Sequence, residues 1–371
     1  MRHVFELEQA SIIYVFCPAR IVTGGPEAVH QLVHKLRCFG RDARIVPVPD
    51  VPNPALLQYR NYRVRFARSI DDHQRNVLIT TEVNPRALDR YRLIQKAIWW
   101  LSVDFHETLT EPFEFGAPHC ERVKHLVQSA YAESFVRQRG VKTIHYLSDY
   151  LNQIYMRPAG RQRKNDNILY TPVKGADAVV QRLRQADPTL RWLALRGMTR
   201  KKHAQTMRQA KVYVDFGSHP GKDRQPREAV VNGCCVIVGA SGSARFEQDM
   251  PIQLTYKFNL NHADEQAILA TIRRCLSDYA MRIHDFDAYA TRVRREERIF
   301  EREVEALFGS SQPSRQPLLL TTLANVVRFA RQNDAPTVMR ALLNEFLPPD
   351  VTARIKRLFL RVSARRRPGA R

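Results

Sequence analysis

The chain has 371 residues, 59 Lys and Arg against 37 Asp and Glu, and a formal net charge of +22. With 44% hydrophobic and 26% charged residues it can bury a core, which excludes wholesale disorder, and its length predicts two domains. No apolar run approaches the roughly 18 residues of a membrane span. The acid-containing opening Met-Arg-His-Val-Phe-Glu-Leu-Glu does not read as a signal peptide. Six scattered cysteines without Cys-x-x-Cys spacing predict reduced thiols in a cytoplasmic protein.

Strand-like and helix-like segments alternate from the start. Residues 11–16 (Ser-Ile-Ile-Tyr-Val-Phe) predict a strand, Thr23-Gly24-Gly25-Pro26 a turn, and 27–39 a helix with Ala28, Val29, Leu32, Val33 and Leu36 on one side. The pattern continues with strands at 43–48, 76–80, 98–103 and 123–128 and helices at 86–97 and 131–139. The basic, apolar-poor stretch 156–167 predicts a domain boundary. A second series follows, with strands at 167–170, 190–195, 212–216 and 234–238 and helices at 176–185, 200–210 and 226–232. Residues 263–308 are helical and charged, 310–317 break the pattern, and the remainder is a helical tail. Apolar strands alternating with helices make the chain α/β, with parallel, helix-covered sheets.

Gly24 and Gly25 fall where a parallel sheet opens a crevice at its carboxyl edge, before a helix amino end that favours an anion or a polar sugar group; an ordinary turn has the same appearance. Gly-x-Gly-x-x-Gly and Walker motifs are absent. The most informative stretch is 213–238. Its first strand ends at Asp215-Phe216, and a loop carries Gly217, His219, Gly221, Lys222, Asp223 and Arg224. Pro226 begins a helix, Glu228 lies in its first turn, and Gly233 ends it. Lys222 and Arg224 suit a diphosphate, and Glu228 suits a ribose diol. The competing reading is a basic surface loop with a helix-dipole glutamate. His219 is either a phosphate contact or an exposed loop histidine. Asp104 and His106, after an apolar strand, are candidates for a general base or a contact to the reacting group; the alternative is a satisfied polar strand end. Glu82, closing the preceding strand after Thr80-Thr81, is placed on the acceptor side.

Strand, glycine loop, Pro-x-Glu-Ala, helix, Gly and apolar strand resemble the nucleotide-sugar signature of GT-B glycosyltransferases, particularly the large retaining family of bacterial polysaccharide and lipopolysaccharide enzymes. Thr171-Pro172-Val173-Lys174-Gly175 is similar to that family's Pro-x-Lys-Gly turn. Gly24-Gly25-Pro26-Glu27 is similar to its acceptor-domain Gly-Gly-x-Glu. Residues 99–106 fall where the family has a strand ending in a catalytic-site histidine. The resemblance spans 11–260. It implies two Rossmann-like domains facing a cleft: 1–156 for the acceptor, with Gly24, Gly25, Glu27 and Glu82, and 157–309 for a nucleotide-diphospho-sugar. Lys174, Gly217, His219, Gly221, Lys222, Arg224 and Glu228 would hold the donor, with Asp104, His106 and Asp223 as catalytic candidates. Pro220 stands where the family has the first of two glutamates eight positions apart, and Asp223 is the acid available in its place. Tyr170 or Thr171 replaces the arginine that usually precedes the phosphate lysine. No cofactor and no metal are implied, the nucleotide-sugar being a substrate; Asp285-Phe286-Asp287 reads as a solvated helical face.

The charge leaves further partners open. Residues 351–371 carry eight Lys and Arg and no acid, about a third of the excess. From Asp350 onward Val351, Ile355, Leu358, Phe359 and Val362 share one helical face, which suits an anionic inner-membrane surface or packing on the body. A saccharide or lipid-linked acceptor follows from the resemblance. The rivals are a non-catalytic GT-B scaffold in polysaccharide assembly and a nucleic-acid-binding protein. The latter has no aromatic-interleaved basic motif in its favour, so nucleic acid is not expected as a partner.

Overall fold

The computed structural model describes residues 3–51, 56–157, 163–172, 176–262 and 265–310. Lys174, residues 350–371 and most of the linker's Pro-Gly-Arg core lie outside them.

The first series comprises β1 (Ile12–Pro18), α1 (Gly24–Cys38), β2 (Asp42–Val48), β3 (Arg65–Phe66), β4 (Val77–Thr81), β5 (Gln95–Trp100), α2 (Val103–His106), β6 (Lys124–Val127), α3 (Ala130–Gln138), β7 (Ile144–Tyr146) and α4 (Gln153–Met156). Its strands form one parallel sheet in the order β3-β2-β1-β4-β5-β6-β7. Both faces are covered, so neighbouring strand residues enter different cores. Ile13, Val15, Val77, Ile79 and Trp99 pack on one side with α1, and Tyr14, Leu78, Ile98 and Trp100 pack on the other.

The second series comprises β8 (Asn165–Tyr170), α5 (Ala176–Ala186), β9 (Arg191–Ala194), α6 (Arg200–Gln209), β10 (Ala210–Asp215), α7 (Arg224–Val231), β11 (Cys235–Gly239) and β12 (Lys257–Phe258). They build a parallel sheet in the order β12-β11-β10-β8-β9 around its own core. The helices α8 (Glu265–Ser277), α9 (Tyr279–Arg282), α10 (Asp287–Arg294) and α11 (Glu296–Phe308) follow. Strand order reverses between β1 and β4 in one sheet and between β8 and β10 in the other. Such switch points open ligand crevices at the carboxyl ends of parallel strands.

Three expectations are corrected. Residues 86–97 are not a helix: a 3-10 turn, Pro85–Arg90, runs into β5. The Asp72 carboxylate accepts the backbone N–H groups of Arg92, Leu93 and Ile94 at 2.8, 3.0 and 2.9 Å, so these donors serve a loop. The strand expected at 98–103 ends at Trp100, because Glu82 accepts the next two N–H groups, of Leu101 and Ser102, at 2.8 and 2.9 Å. Finally, α11 packs with the first sheet rather than the second. Phe300, Val304, Leu307 and Phe308 enter the α1 core, and Phe308 stacks on Phe5 at 4.8 Å between ring centroids. Lys35 of α1 binds Glu297 and Glu301 at 2.7 and 2.6 Å.

Candidate active site between the two sheets

The carboxyl edges of the two sheets meet through their loops. Gly24 and Gly25 form the first turn of α1, and a Cβ on Gly24 would lie 3.2 Å from Arg224 Nε. Gly24 therefore lets the first residue of α7 approach the amino end of α1. Glu27, one turn in, collects the groups around it. Its Oε2 accepts Arg224 Nη1 at 2.5 Å and Arg200 Nη2 at 2.8 Å, and its Oε1 accepts Tyr62 Oη at 2.8 Å and Asn152 Nδ2 at 2.9 Å. Burial pushes its carboxyl up, but Arg224, Arg200 and these hydrogen bonds outweigh that and hold it below its ordinary value.

The loop between β10 and α7 crosses to the first sheet. Gly221 forms an antiparallel bridge with Ser102, and a Cβ there would fall 1.8 Å from the Leu101 carbonyl oxygen, so only glycine fits the approach. Arg227, wholly buried, fixes the loop from below. It donates to the carbonyl oxygens of Lys222 and Asp223 at 2.8 and 3.1 Å, to Asp149 Oδ2 at 3.0 Å and to Glu296 Oε2 at 2.8 Å. Lys222 Nζ lies 2.9 Å from Glu296 Oε1, and Arg224 Nη2 lies 3.3 Å from Asp149 Oδ2. Asp149 is held below its ordinary value: burial opposes ionisation, but Arg227, Arg224 and Lys222 together overcome it. Lys222 and Arg224 are thus drawn into a buried lattice of carboxylates supplied by α1, the segment after β7, and α11.

Glu228 has the contrary balance. Burial, aided by Glu27 and only partly offset by Arg224, Arg227 and Arg200, pushes it up to about 7. Its Oε2 lies 3.8 Å from His203 Nδ1. Burial lowers that imidazole to about 4, leaving it neutral beside the carboxyl.

His219 is not an exposed loop histidine. It is fully buried, and its Nδ1 lies 2.9 Å from Asp223 Oδ2. A Cβ on Gly242, whose φ is +47°, would fall 1.9 Å from the His219 carbonyl oxygen, so the 3-10 turn Gly242–Arg245 packs directly on the His219 backbone, whose carbonyl accepts the Ser243 N–H at 2.9 Å. Donor atoms of Asp215, His219 and Asp223 lie within 4.8 Å of one another, a set able to share a cation. Gly217 donates its N–H to Asp215 Oδ1 at 3.3 Å, keeping that carboxylate at the end of β10.

On the first sheet's edge, burial raises Glu82 to about 6, although the Leu101 and Ser102 amides partly compensate. It holds the β5–α2 turn. Asp104, in the first turn of α2, accepts Tyr131 Oη at 2.6 Å and lines an open cavity of about 640 Å³ with Arg245 and Phe246 of the second sheet. His106 departs from the sequence expectation. Only 5% exposed, its ring lies among Trp100, Phe113, Phe115 and Phe135, and its Nε2 accepts the Phe113 N–H at 2.8 Å. Two residues along α2, about half a turn, rotate it into the aromatic core while Asp104 remains at the edge.

Sequence reading missed Asp149, Arg200, Arg227, Glu296, Tyr131 and Arg245. Arg227 sits inside the signature helix but between Pro226 and Glu228 in a charged run, so its burial gave no local signal. The other five lie in unremarkable local sequence.

No protein-family model and no curated protein matches the chain. Solved structures do. A glycosyltransferase from Rickettsia africae ESF-5 superposes with a TM-score of 0.54 at 11% identity, covering 86% of this chain and 98% of that one. HepE of Anabaena, solved in complex with UDP-glucose, gives 0.52 at 11% identity, with 80% and 99% covered. At this identity the likeness establishes architecture: the chain is a divergent example of the two-domain GT-B glycosyltransferase fold.

Proposed function

We propose that the protein transfers a sugar from a nucleotide-diphospho-sugar to a saccharide or lipid-linked acceptor in the assembly of a bacterial surface polysaccharide. The observation that carries this reading is the meeting of the amino ends of α1 and α7 at Gly24 and Arg224, with Lys222 on the same loop. Two helix amino ends and two cations at facing switch points suit a diphosphate. The Anabaena neighbour's UDP-glucose supports a donor of this class.

In this proposal Lys222 and Arg224, joined by Lys174, exchange carboxylate partners for the donor's phosphate oxygens and stabilise the departing nucleotide diphosphate without a metal. Glu228 receives a ribose or sugar hydroxyl. Asp104 accepts the proton of the acceptor hydroxyl, and Asp223, paired with His219, is the acid that holds the glycine loop. The amphipathic basic segment 350–371 brings the enzyme to an anionic inner-membrane surface from the cytoplasmic side. Among the described residues no helix is long and apolar enough to cross a membrane.

A second reading has its own support: Lys222 and Arg224 are already paired with the protein's carboxylates, as in a scaffold that no longer turns over. A thermal-shift panel of UDP, GDP, ADP, CMP and dTDP decides binding, and slow hydrolysis of the matching nucleotide-sugar decides catalysis. Ligand at about 100 times Kd stabilises by about 2.7 kcal/mol, a shift of several degrees. Lys222→Ala should lose that shift. A panel with no shift overturns both readings, and binding without hydrolysis or transfer selects the scaffold.

A further inference from the structure

The 640 Å³ cavity beside Asp104 is separate from the ion lattice around Arg224 and carries its own recognition chemistry. One wall comes from α2 and α3 of the first sheet, with Asp104, Tyr131, Gln138 and Arg139. The other comes from the loop after β11, with Arg245 and Phe246. The two walls are joined at their base: Asp249, three residues beyond Phe246, accepts the N–H groups of Ala130 and Tyr131 at 2.8 and 2.9 Å. The volume lies in the range of small-ligand sites.

Three features define what the cavity would hold. The rings of Tyr131 and Phe246, 5.7 Å apart and tilted by 39°, give half-buried apolar faces on which the C–H face of a sugar ring can lie. Asp104 has one oxygen fixed by Tyr131, whose hydroxyl is pushed up to about 12 by burial and this carboxylate and so stays a donor. Asp104 Oδ2 has no partner among the described residues and is available to a sugar hydroxyl. The two arginines differ. Arg139 is committed to Glu107 and lies over the Phe135 ring at 3.6 Å. Arg245 is exposed and pairs with no carboxylate among the described residues.

We infer that this cavity is the acceptor subsite and takes an anionic saccharide, with a carboxylate or phosphate on Arg245, a sugar ring against Phe246 and Tyr131, and a hydroxyl on Asp104. The inference rests on the glycosyltransferase reading for the word acceptor, while the binding chemistry stands on the cavity alone. Arg245 and Phe246 come from the sheet that would hold the donor, so the subsite brings an acceptor hydroxyl to Asp104 at the edge of the reaction cleft. The guanidinium distinguishes anionic from neutral saccharides by a charge-assisted, salt-sensitive contact.

The test is calorimetric titration with three probes of equal length: a uronic-acid oligosaccharide, a phosphorylated oligosaccharide and their neutral counterpart. Each is run on wild type, Arg245→Gln and Phe246→Ala, with and without a nucleotide diphosphate. At least one anionic probe should bind ten times more tightly than the neutral one and weaken at higher salt. Arg245→Gln should remove that preference and leave nucleotide binding intact, and Phe246→Ala should weaken all three probes. Whichever anionic probe binds better identifies the group on Arg245. Equal binding of neutral and anionic probes, an unchanged preference in Arg245→Gln, or no saccharide binding overturns the subsite. Saccharide binding with no nucleotide binding instead sinks the transferase reading and leaves the subsite standing.

Discussion

Glu228 and Glu27 show how the same residue type acquires opposite behaviour from its surroundings. Arginines and hydrogen bonds overcome burial at Glu27, whereas burial prevails at Glu228, which rises from 4.5 to about 7. The folded state therefore binds the Glu228 proton more tightly than the unfolded chain does. Its stabilising contribution is complete below about pH 4.5 and lost as pH rises through 7, a change of roughly 3 kcal/mol. Glu27 runs the other way, losing its contribution as pH falls through its depressed value. In Glu228→Gln the decline in melting temperature between pH 5 and 8 should flatten, and an unchanged slope would show that another group titrates there. Asp104 and His106 form a second contrast, two residues apart. Asp104→Asn should lower transfer at least 100-fold with little change in melting temperature, since it removes the proposed proton acceptor. His106→Leu should alter stability and leave transfer within a few-fold, because the ring belongs to the aromatic core.

At the scale of elements, the β10–α7 loop is shaped by what it approaches. Gly221 has the Leu101 carbonyl where a side chain would begin, so Gly221→Ala must push the loop off the first sheet. Nucleotide binding in that variant should fall at least tenfold while the secondary-structure content by circular dichroism is retained; undiminished binding would show that the bridge to Ser102 is incidental. The linker gives another case. Lys164 falls in the basic stretch 156–167, which reads in sequence as a connector at a domain boundary. It is instead half-buried, donating to the Ala210 and Asn232 carbonyl oxygens at 2.8 Å each, where the orphan acceptors beyond α6 and α7 need a cation.

For the whole molecule, the two sheets are tied by charge as well as by apolar packing. Arg227 joins α7 to Asp149 and Glu296, and α11 carries Glu296 while its apolar face enters the first core. Arg227→Met leaves two buried carboxylates short of a partner and should cost about 3–5 kcal/mol in urea unfolding. Arg227→Lys should recover little, because one ammonium cannot serve both carboxylates and two carbonyls. A loss below 1 kcal/mol would show that Lys222 and Arg224 suffice.

The sequence by itself determined the alternating α/β order, the parallel, helix-covered sheets and the glycine loop entering α7. These follow from side-chain periodicity and turn chemistry, which operate within a dozen residues. The tertiary structure decided the rest. It paired Arg224 with Glu27 across 197 positions and Arg227 with Asp149 across 78. It turned His106 inward, returned α11 to the first sheet, and set Arg245 opposite Asp104. Such contacts depend on where loops bring distant segments together, and the balance of burial against charge that sets each pKa exists only after they have met.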